Sequence, residues 1–171
     1  MRAKNMHSDH MIINQAKVVV KMAREEKSEL DKFVEQLQNE IDNEARKIYT
    51  EKVLEEFKHP YHFGKMENAS ISGKIKGSCG DTMQLFLKIK DNQIIDSSFF
   101  TDGCGATVAC GSMISKLIQK KSIDKVAKIT DEDLKNALDG LPPENEHCAE
   151  LAINTLKSAL ENYQKNKSNR K

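Results

Sequence analysis

The sequence predicts an α+β protein, in which a three-stranded antiparallel sheet is packed with helices and follows an N-terminal helical extension. The first observation is a stretch from about residue 9 to residue 57 that contains neither proline nor glycine and has helical periodicity. The second is three short runs between residues 69 and 100 that have strand character. The third is a return to helical periodicity after Gly105. Strands followed by helices favour a sheet covered by helices on one face.

The N-terminal extension, residues 1–48, carries a heptad stripe. Apolar residues recur at seven-residue intervals in two interleaved series, with Lys27 and Glu44 as polar interruptions. The two series are Ile13, Val20, Val34, Ile41 and Ile48, and Ala16, Ala23, Leu30 and Leu37. The pattern fits one long helix or a helical hairpin bent near Lys27-Ser28. The stripe either docks on the rest of the protein or self-associates as a coiled coil, which makes the extension a candidate oligomerisation arm.

His59-Pro60 ends the helical stretch, because the residue before proline is disfavoured in the helical region. Strands are expected over residues 69–76, 83–90 and 94–100, and the polar residues 91–93 between the last two predict a hairpin. The first strand is expected to join them as a meander.

A helix is predicted from Gly105 to about Lys121. Thr130 and Asp133 are spaced as a capping box for a short helix that Gly140 closes. A final helix is expected from about Glu146 to Tyr163. The folded domain is therefore placed at residues 49–164, with residues 165–171 as a basic disordered tail.

Bulk composition narrows the class of protein. The formal net charge of +1 argues against a general nucleic-acid binder, and no apolar run reaches the length of a membrane span. The N-terminus lacks the features of a signal peptide, so we expect a cytoplasmic protein with no nucleic-acid or membrane partner. In a reducing compartment, four cysteines favour metal binding or reactivity over disulfides.

Three cysteines lie in predicted loops: Cys79 between glycine-containing segments, Cys104 between Gly103 and Gly105, and Cys148 beside His147. The thiolates of Cys104 and Cys148 would be favoured at helix N-termini. His147 adds an imidazole, and Asp81 adds a carboxylate. Three soft sulfurs with one nitrogen or oxygen suit iron–sulfur chemistry or tetrahedral zinc.

Alternative interpretations apply to each of these residues. A cysteine within a helix often packs as a small hydrophobic residue, which is our interpretation of Cys110. The intervals between the other three cysteines match no compact Cys-x-x-Cys motif. The residues alone therefore do not decide whether the site holds an iron–sulfur cluster or zinc.

Successive motifs resemble those of the IscU-type iron–sulfur cluster scaffold family, which is equivalent to the NifU N-terminal domain. The similarity runs from about Tyr49 to Tyr163. Its motifs are Tyr49-Thr50-Glu51-Lys52-Val53-Leu54, His59-Pro60, Gly64-Lys65-Met66, Gly77-Ser78-Cys79-Gly80-Asp81, Thr101-Asp102-Gly103-Cys104-Gly105-Ala106, Gly140-Leu141-Pro142-Pro143, His147-Cys148 and Leu151-Ala152.

The resemblance implies the IscU/NifU-N-like sandwich, with the site at one end, and a scaffold or carrier rather than a turnover enzyme. It implies a [2Fe–2S] cluster built from iron and from persulfide sulfur that a cysteine desulfurase delivers to Cys148 or, next, to Cys104. Iron would bind among Cys79, Asp81, Cys104, His147 and Cys148. A ferredoxin-type protein would supply electrons, and apo iron–sulfur proteins would receive the cluster. Asp81 would make the cluster labile, because a carboxylate is a harder ligand than a thiolate.

The family's Leu-Pro-Pro-Val-Lys segment, which an Hsp70-type chaperone grips, reads Leu141-Pro142-Pro143-Glu144-Asn145 here. Because the lysine of that segment is missing, the resemblance does not imply that this protein binds an Hsp70-type chaperone. The main alternative is a zinc-bound, SufU-like sulfurtransferase that accepts persulfide from a desulfurase. The interval from Cys104 to Cys148 resembles the IscU type more than the SufU type. A third alternative is an interaction protein whose function lies in the N-terminal arm.

Overall fold

The computed structural model describes residues 28–169. The first half of the predicted arm, the proposed bend near Lys27 and the last two residues of the predicted tail lie outside that range. Two compact units are distinguished, Met1–Ala45 and Arg46–Lys171. Within the first, the described residues are helical, and this helix, α1, continues over residues 28–48.

The continuous helix expected up to residue 57 is interrupted at Tyr49 and Thr50. Thr50 is the N-cap of a new helix, α2 (Glu51–Lys58). Its hydroxyl accepts a hydrogen bond from the Val53 amide (3.2 Å) and donates one to the Leu138 carbonyl (2.6 Å). A capping threonine stabilises a helix start even where no proline or glycine marks it. The lack of proline and glycine up to residue 57 therefore did not reveal this helix break, which falls at the expected boundary between the extension and the domain.

The predicted sheet is confirmed as a three-stranded antiparallel meander in the order β1-β2-β3. Its strands are β1 (Ile71–Lys76), β2 (Thr82–Lys90) and β3 (Gln93–Thr101). The β2–β3 hairpin turns at Asp91 and Asn92, whose φ angles are 49° and 60°. Two positive φ angles fit the tight hairpin turn that these residue types favour.

Four helices follow the sheet: α3 (Gly105–Leu117), α4 (Ile123–Val126), α5 (Asp131–Ala137) and α6 (Glu146–Ser168). A 3₁₀ turn over Pro143–Asn145 leads into α6. The predicted capping box of Thr130 and Asp133 is present at the start of α5. α6 extends beyond the expected end near Tyr163, so residues 165–168 are helical rather than part of a disordered tail.

One face of the sheet is buried under the helices. α6 packs across β1 and β2, while α3 packs against β3, α2 and α6. The core is built from residues that are almost completely buried, among them Met83, Leu85, Leu87, Phe99, Ile114, Leu134 and Leu156. Among residues 28–169, no helix combines the length and apolar content that a bilayer crossing requires. Because α3 and α6 share this core, their N-termini are held in fixed positions.

Candidate functional site

The loop that carries Cys79 is a tight turn between β1 and β2. The Gly77 amide donates to the Asp81 carbonyl (2.8 Å), and the Gly80 amide donates to the Gly77 carbonyl (3.1 Å). Gly80 has a φ of +93°, a conformation that L-residues with a Cβ rarely adopt. The turn leaves Cys79 exposed.

The other two predicted cysteines lie at the starts of two helices that pack together. Cys104 is the N-cap of α3 and is exposed, whereas Cys148 lies in the first turn of α6 and is completely buried. Free backbone amides and the helix dipole favour negative charge at both positions. The predicted placement of these two cysteines at helix N-termini is confirmed.

The hydroxyl of Thr107, one turn into α3, lies among three of the predicted site residues. Its Oγ1 is 2.9 Å from Asp81 Oδ2, 3.3 Å from Cys148 Sγ and 3.5 Å from Cys104 Sγ. Thr107 has no exposed surface. The fold therefore brings Asp81, Cys104 and Cys148 together around one buried hydroxyl, although they come from three separate parts of the chain.

Asp81 is held by α3 rather than exposed freely at its turn. Its Oδ2 accepts the Thr107 hydroxyl and, at 3.4 Å, the backbone amide of Cys104. Gly103 makes this approach possible, because a Cβ at that position would overlap Asp81 Oδ2 and lie 2.8 Å from the Cβ of Thr107. The glycine before Cys104 therefore provides space for the carboxylate.

His147 also reaches this site, since its Nε2 lies 3.6 Å from Cys148 Sγ. Tyr49 lies beside it as well, with its hydroxyl donating to Asn145 Oδ1 at 3.2 Å. Burial, followed by the charges of Cys104, Glu144 and Cys148, raises the pKa of the Tyr49 phenol. The tyrosine just before the α2 N-cap is thus hydrogen-bonded to the residue that precedes α6.

The surroundings shift the pKa values of the two helix-start thiols in opposite directions. For Cys104, burial alone would raise the pKa, but hydrogen bonds from the Thr107 hydroxyl and from the Thr107 and Ala106 amides lower it overall. For Cys148, burial outweighs the Thr107 hydrogen bond and, with the charges of Cys104 and Cys79, raises the pKa to about 11. Among residues 28–169, the described contacts of the Thr107 hydroxyl include Cys104 and Cys148 but not Cys79.

Cys110 takes no part in this group. It is completely buried in the core of α3, and burial raises the pKa of its thiol strongly. A thiol in such surroundings is unreactive. The prediction that Cys110 packs as a small hydrophobic residue is confirmed.

Three thiols, an imidazole and a carboxylate form a donor set that suits zinc or an iron–sulfur cluster. Even so, no group of three or more His, Cys, Asp or Glu side chains among residues 28–169 is already disposed to hold a metal ion. Asp81 is hydrogen-bonded to Thr107, and Cys148 is buried. The chemistry of the residues fits such a group, but their side chains must turn to bind it.

Sequence reasoning missed Thr107 and Tyr49 as site neighbours. Thr107 follows Cys104 by one helical turn, a spacing that places the two side chains on one face. That spacing was the available signal, but a threonine near a helix start is too common to single out. Tyr49 was recognised only as part of a motif, and only the tertiary fold brings it to Asn145 at the start of α6.

Fold and site together define a class: a small α+β domain with a cluster of thiols at the N-termini of two packed helices. The sequence matches the NifU-like N terminal domain over residues 48–170. The chain belongs to this family, as the motifs around Cys79, Cys104 and Cys148 predicted.

The chain is similar to iron-sulfur cluster assembly scaffold protein IscU 1 of Archaeoglobus fulgidus, with 38% identity over 117 residues, covering 68% of this chain and 76% of that protein. It is 36% identical over 118 residues to the IscU scaffold protein of Aquifex aeolicus, covering 67% and 75% respectively. A proposed scaffold protein for the SUF system of Fervidobacterium islandicum AW-1 has a similar structure, with a TM-score of 0.56 and 25% identity, covering 66% of this chain and 96% of that one.

Proposed function

We propose that this protein is a scaffold on which a labile [2Fe–2S] cluster is assembled and from which it passes to apo iron–sulfur proteins. The observation that carries the proposal is the convergence of Cys104, Cys148 and Asp81 on the Thr107 hydroxyl. The names of relatives at 36–38% identity support the same role. A scaffold binds and releases its cargo without turning over a substrate, so we do not propose a turnover enzyme.

Sulfur would arrive as a persulfide on a cysteine desulfurase. A scaffold thiolate attacks the terminal sulfur of that persulfide, forming a new S–S bond as the donor's S–S bond breaks and the donor cysteine leaves as a thiolate. We propose Cys148 and Cys104 as the acceptors. In the described conformation Cys104 is the more accessible thiol and has the lower pKa, so Cys148 must be uncovered before it can accept sulfur.

The transferred sulfur is at the oxidation level of elemental sulfur, so it must gain two electrons to become the sulfide of a cluster. We propose a ferredoxin-type protein as the donor. Iron would bind among Cys79, Asp81, Cys104, His147 and Cys148. Asp81 favours later release, because its hard oxygen is a weaker ligand for the cluster than a thiolate. The altered segment after Pro143 gives no basis for proposing an Hsp70-type chaperone as a release partner.

Anaerobic reconstitution tests this proposal. Wild-type protein given ferrous iron, sulfide and reductant should develop the visible absorbance of a [2Fe–2S] cluster. A variant with Cys79, Cys104 and Cys148 replaced by alanine should lose that absorbance, because the soft ligands are gone. Cys110→Ala is the matched control, since that thiol is buried away from the site, and it should behave as wild type. Equal absorbance in the wild type and the triple variant would contradict the proposal.

A zinc-bound sulfurtransferase is the second candidate, favoured by the structural similarity to the SUF-system protein. In that case zinc would occupy the thiols, and one thiolate would leave the metal to accept persulfide. Metal analysis of protein purified without air separates the two functions. Tightly held zinc together with failure to form a cluster would favour the sulfurtransferase.

A further inference from the structure

We propose that Thr107 is a positioning residue that restrains Asp81 and so limits how readily this carboxylate binds incoming metal. This inference rests on the proposed function, because it concerns the same ligands. Nothing in the motifs that marked the three cysteines singled out Thr107.

The hydroxyl of Thr107 carries one proton and has three possible acceptors within reach. Asp81 Oδ2 is the closest, at 2.9 Å, while Cys148 Sγ and Cys104 Sγ lie at 3.3 Å and 3.5 Å. A hydrogen bond to a carboxylate is shorter and stronger than one to a neutral acceptor. The proton is therefore directed preferentially to Asp81, and the two sulfur atoms compete for it more weakly.

The same oxygen of Asp81 also accepts the Cys104 amide at 3.4 Å, a longer and weaker contact. The Thr107 hydroxyl is thus the main restraint among the hydrogen bonds at that oxygen. Asp81 must give up this hydrogen bond when its carboxylate turns to a metal. Thr107 and the metal consequently compete for the orientation of the Asp81 carboxylate.

Thr107 cannot be satisfied by solvent, because it has no exposed surface. When Asp81 leaves, the hydroxyl can turn to the sulfur of Cys148 or Cys104. Sulfur is a weak hydrogen-bond acceptor, so this exchange replaces a strong hydrogen bond with a weaker one. The exchange lowers the affinity of the site for a metal that uses Asp81.

Co²⁺ binding to the full-length protein under anaerobic conditions tests the inference, with the thiolate-to-cobalt absorption as the readout. Thr107→Val removes the hydroxyl but keeps a branched side chain of similar shape. It should bind Co²⁺ about tenfold more tightly, the size expected for losing one hydrogen bond to a charged group. Thr107→Ser keeps the hydroxyl and should bind as wild type does.

Asp81→Ala supplies the second side of a double-mutant cycle. In that background Thr107→Val should leave Co²⁺ affinity unchanged, because the carboxylate that it frees is absent. Unchanged or weaker binding by Thr107→Val alone would overturn the inference. So would an equally large gain in the Asp81→Ala background, which would mean that Thr107 acts without Asp81.

Thermal unfolding should first establish that each variant is folded, and Thr107→Ala replaces Thr107→Val if the valine is not tolerated. The outcome of the double-mutant cycle can be distinguished from the outcome of the test of the proposed function. If wild type assembles a cluster but the cycle shows no coupling, only the role of Thr107 is wrong. If the coupling is present but no cluster forms, the scaffold function is wrong and the restraint stands.

Discussion

Cys104 and Cys148 occupy similar positions at helix starts, yet burial distinguishes their chemistry. Hydrogen bonds from Thr107 and Ala106 favour the thiolate of Cys104, which is exposed. Burial favours the neutral thiol of Cys148 and outweighs its hydrogen bond from Thr107. A helix N-terminus is therefore not sufficient to activate a thiol; access to solvent decides the outcome here.

This difference predicts selective alkylation. At about pH 8, iodoacetamide should modify Cys104 at least tenfold faster than Cys148 in the metal-free protein, because only a thiolate reacts appreciably. Raising the pH should reduce the difference between the alkylation rates of Cys104 and Cys148. The thiolate fraction of Cys104 saturates first, while that of Cys148 continues to grow as the pH approaches its pKa of about 11. Quantitative mass spectrometry of the labelled peptides measures both rates.

Two other cysteines serve as references in the same experiment. Cys79 is exposed and reports reagent access, whereas Cys110 is buried in the core and should stay unmodified while the protein is folded. Labelling of Cys148 ahead of Cys104 would contradict the described geometry. Labelling of Cys110 at a similar rate would indicate unfolding instead.

At the scale of elements, α3 shows why hydrophobic periodicity predicts a helix better than it predicts the buried face. Apolar spacing in the sequence favours a face that holds Val108, Met113 or Ile114, Leu117 and Ile118; Ile114 and Ile118 are completely buried, whereas the other three are only partly buried. The helix also buries several small or polar residues, including Thr107, Ser112 and Ser115. Thr107 and Ser112 donate to the distant carboxylates of Asp81 and Glu56, whereas Ser115 donates to the Gly111 carbonyl within the same helix. Hydrogen-bond partners distant in sequence cannot be read from apolar spacing.

The contact between β1 and α6 depends on Gly73. A Cβ at this position would lie 2.5 Å from the Thr155 carbonyl oxygen and 2.9 Å from Ala159 Cα. Both atoms belong to the helix backbone, which cannot move aside as a flexible side chain can. Gly73→Ala should therefore lower the free energy of unfolding by about 2–4 kcal/mol, measured by urea denaturation followed by circular dichroism.

Lys74→Ala is the matched control, since the neighbouring side chain in the same strand is exposed. It should change the free energy of unfolding by no more than about 0.5 kcal/mol. If Gly73→Ala were as stable as Lys74→Ala, α6 would be able to move away from the sheet without lowering the free energy of unfolding.

At the scale of the whole molecule, sequence patterns predicted the α+β class and the meander because strand and helix periods are local properties. They did not locate the helix break at Thr50, whose hydroxyl contacts the distant Leu138 carbonyl. The loop positions and neighbours of the three cysteines suggested one metal site, and the order of the motifs indicated the family. The convergence of Cys104, Cys148 and Asp81 on Thr107 depends on the packing of α3 against α6 and on the β1–β2 turn, which no spacing rule encodes.

The described part of the arm keeps the heptad pattern in helical form with its apolar side chains exposed. Leu30, Val34, Leu37, Ile41 and Ile48 are 42–61% exposed. β-Branched residues occupy one seam position, and leucines occupy the other except at Glu44; this combination favours parallel, two-stranded coiled coils. Burying this stripe between two copies would remove apolar surface from water.

We therefore expect the full-length protein to dimerise through the arm, with twice the protomer mass by light scattering at micromolar concentration. Replacing Val34 and Ile41 with glutamate should make it monomeric, because two like charges per chain would face each other across the seam. Gln36→Glu with Asn43→Glu adds the same charge at exposed positions outside the seam and should leave the dimer intact. A wild-type monomer at every concentration, or dimers in both variants, would show that the stripe does not pair the chains. Cluster assembly should be measured independently of dimerisation, because all four cysteines lie in the chain after residue 48.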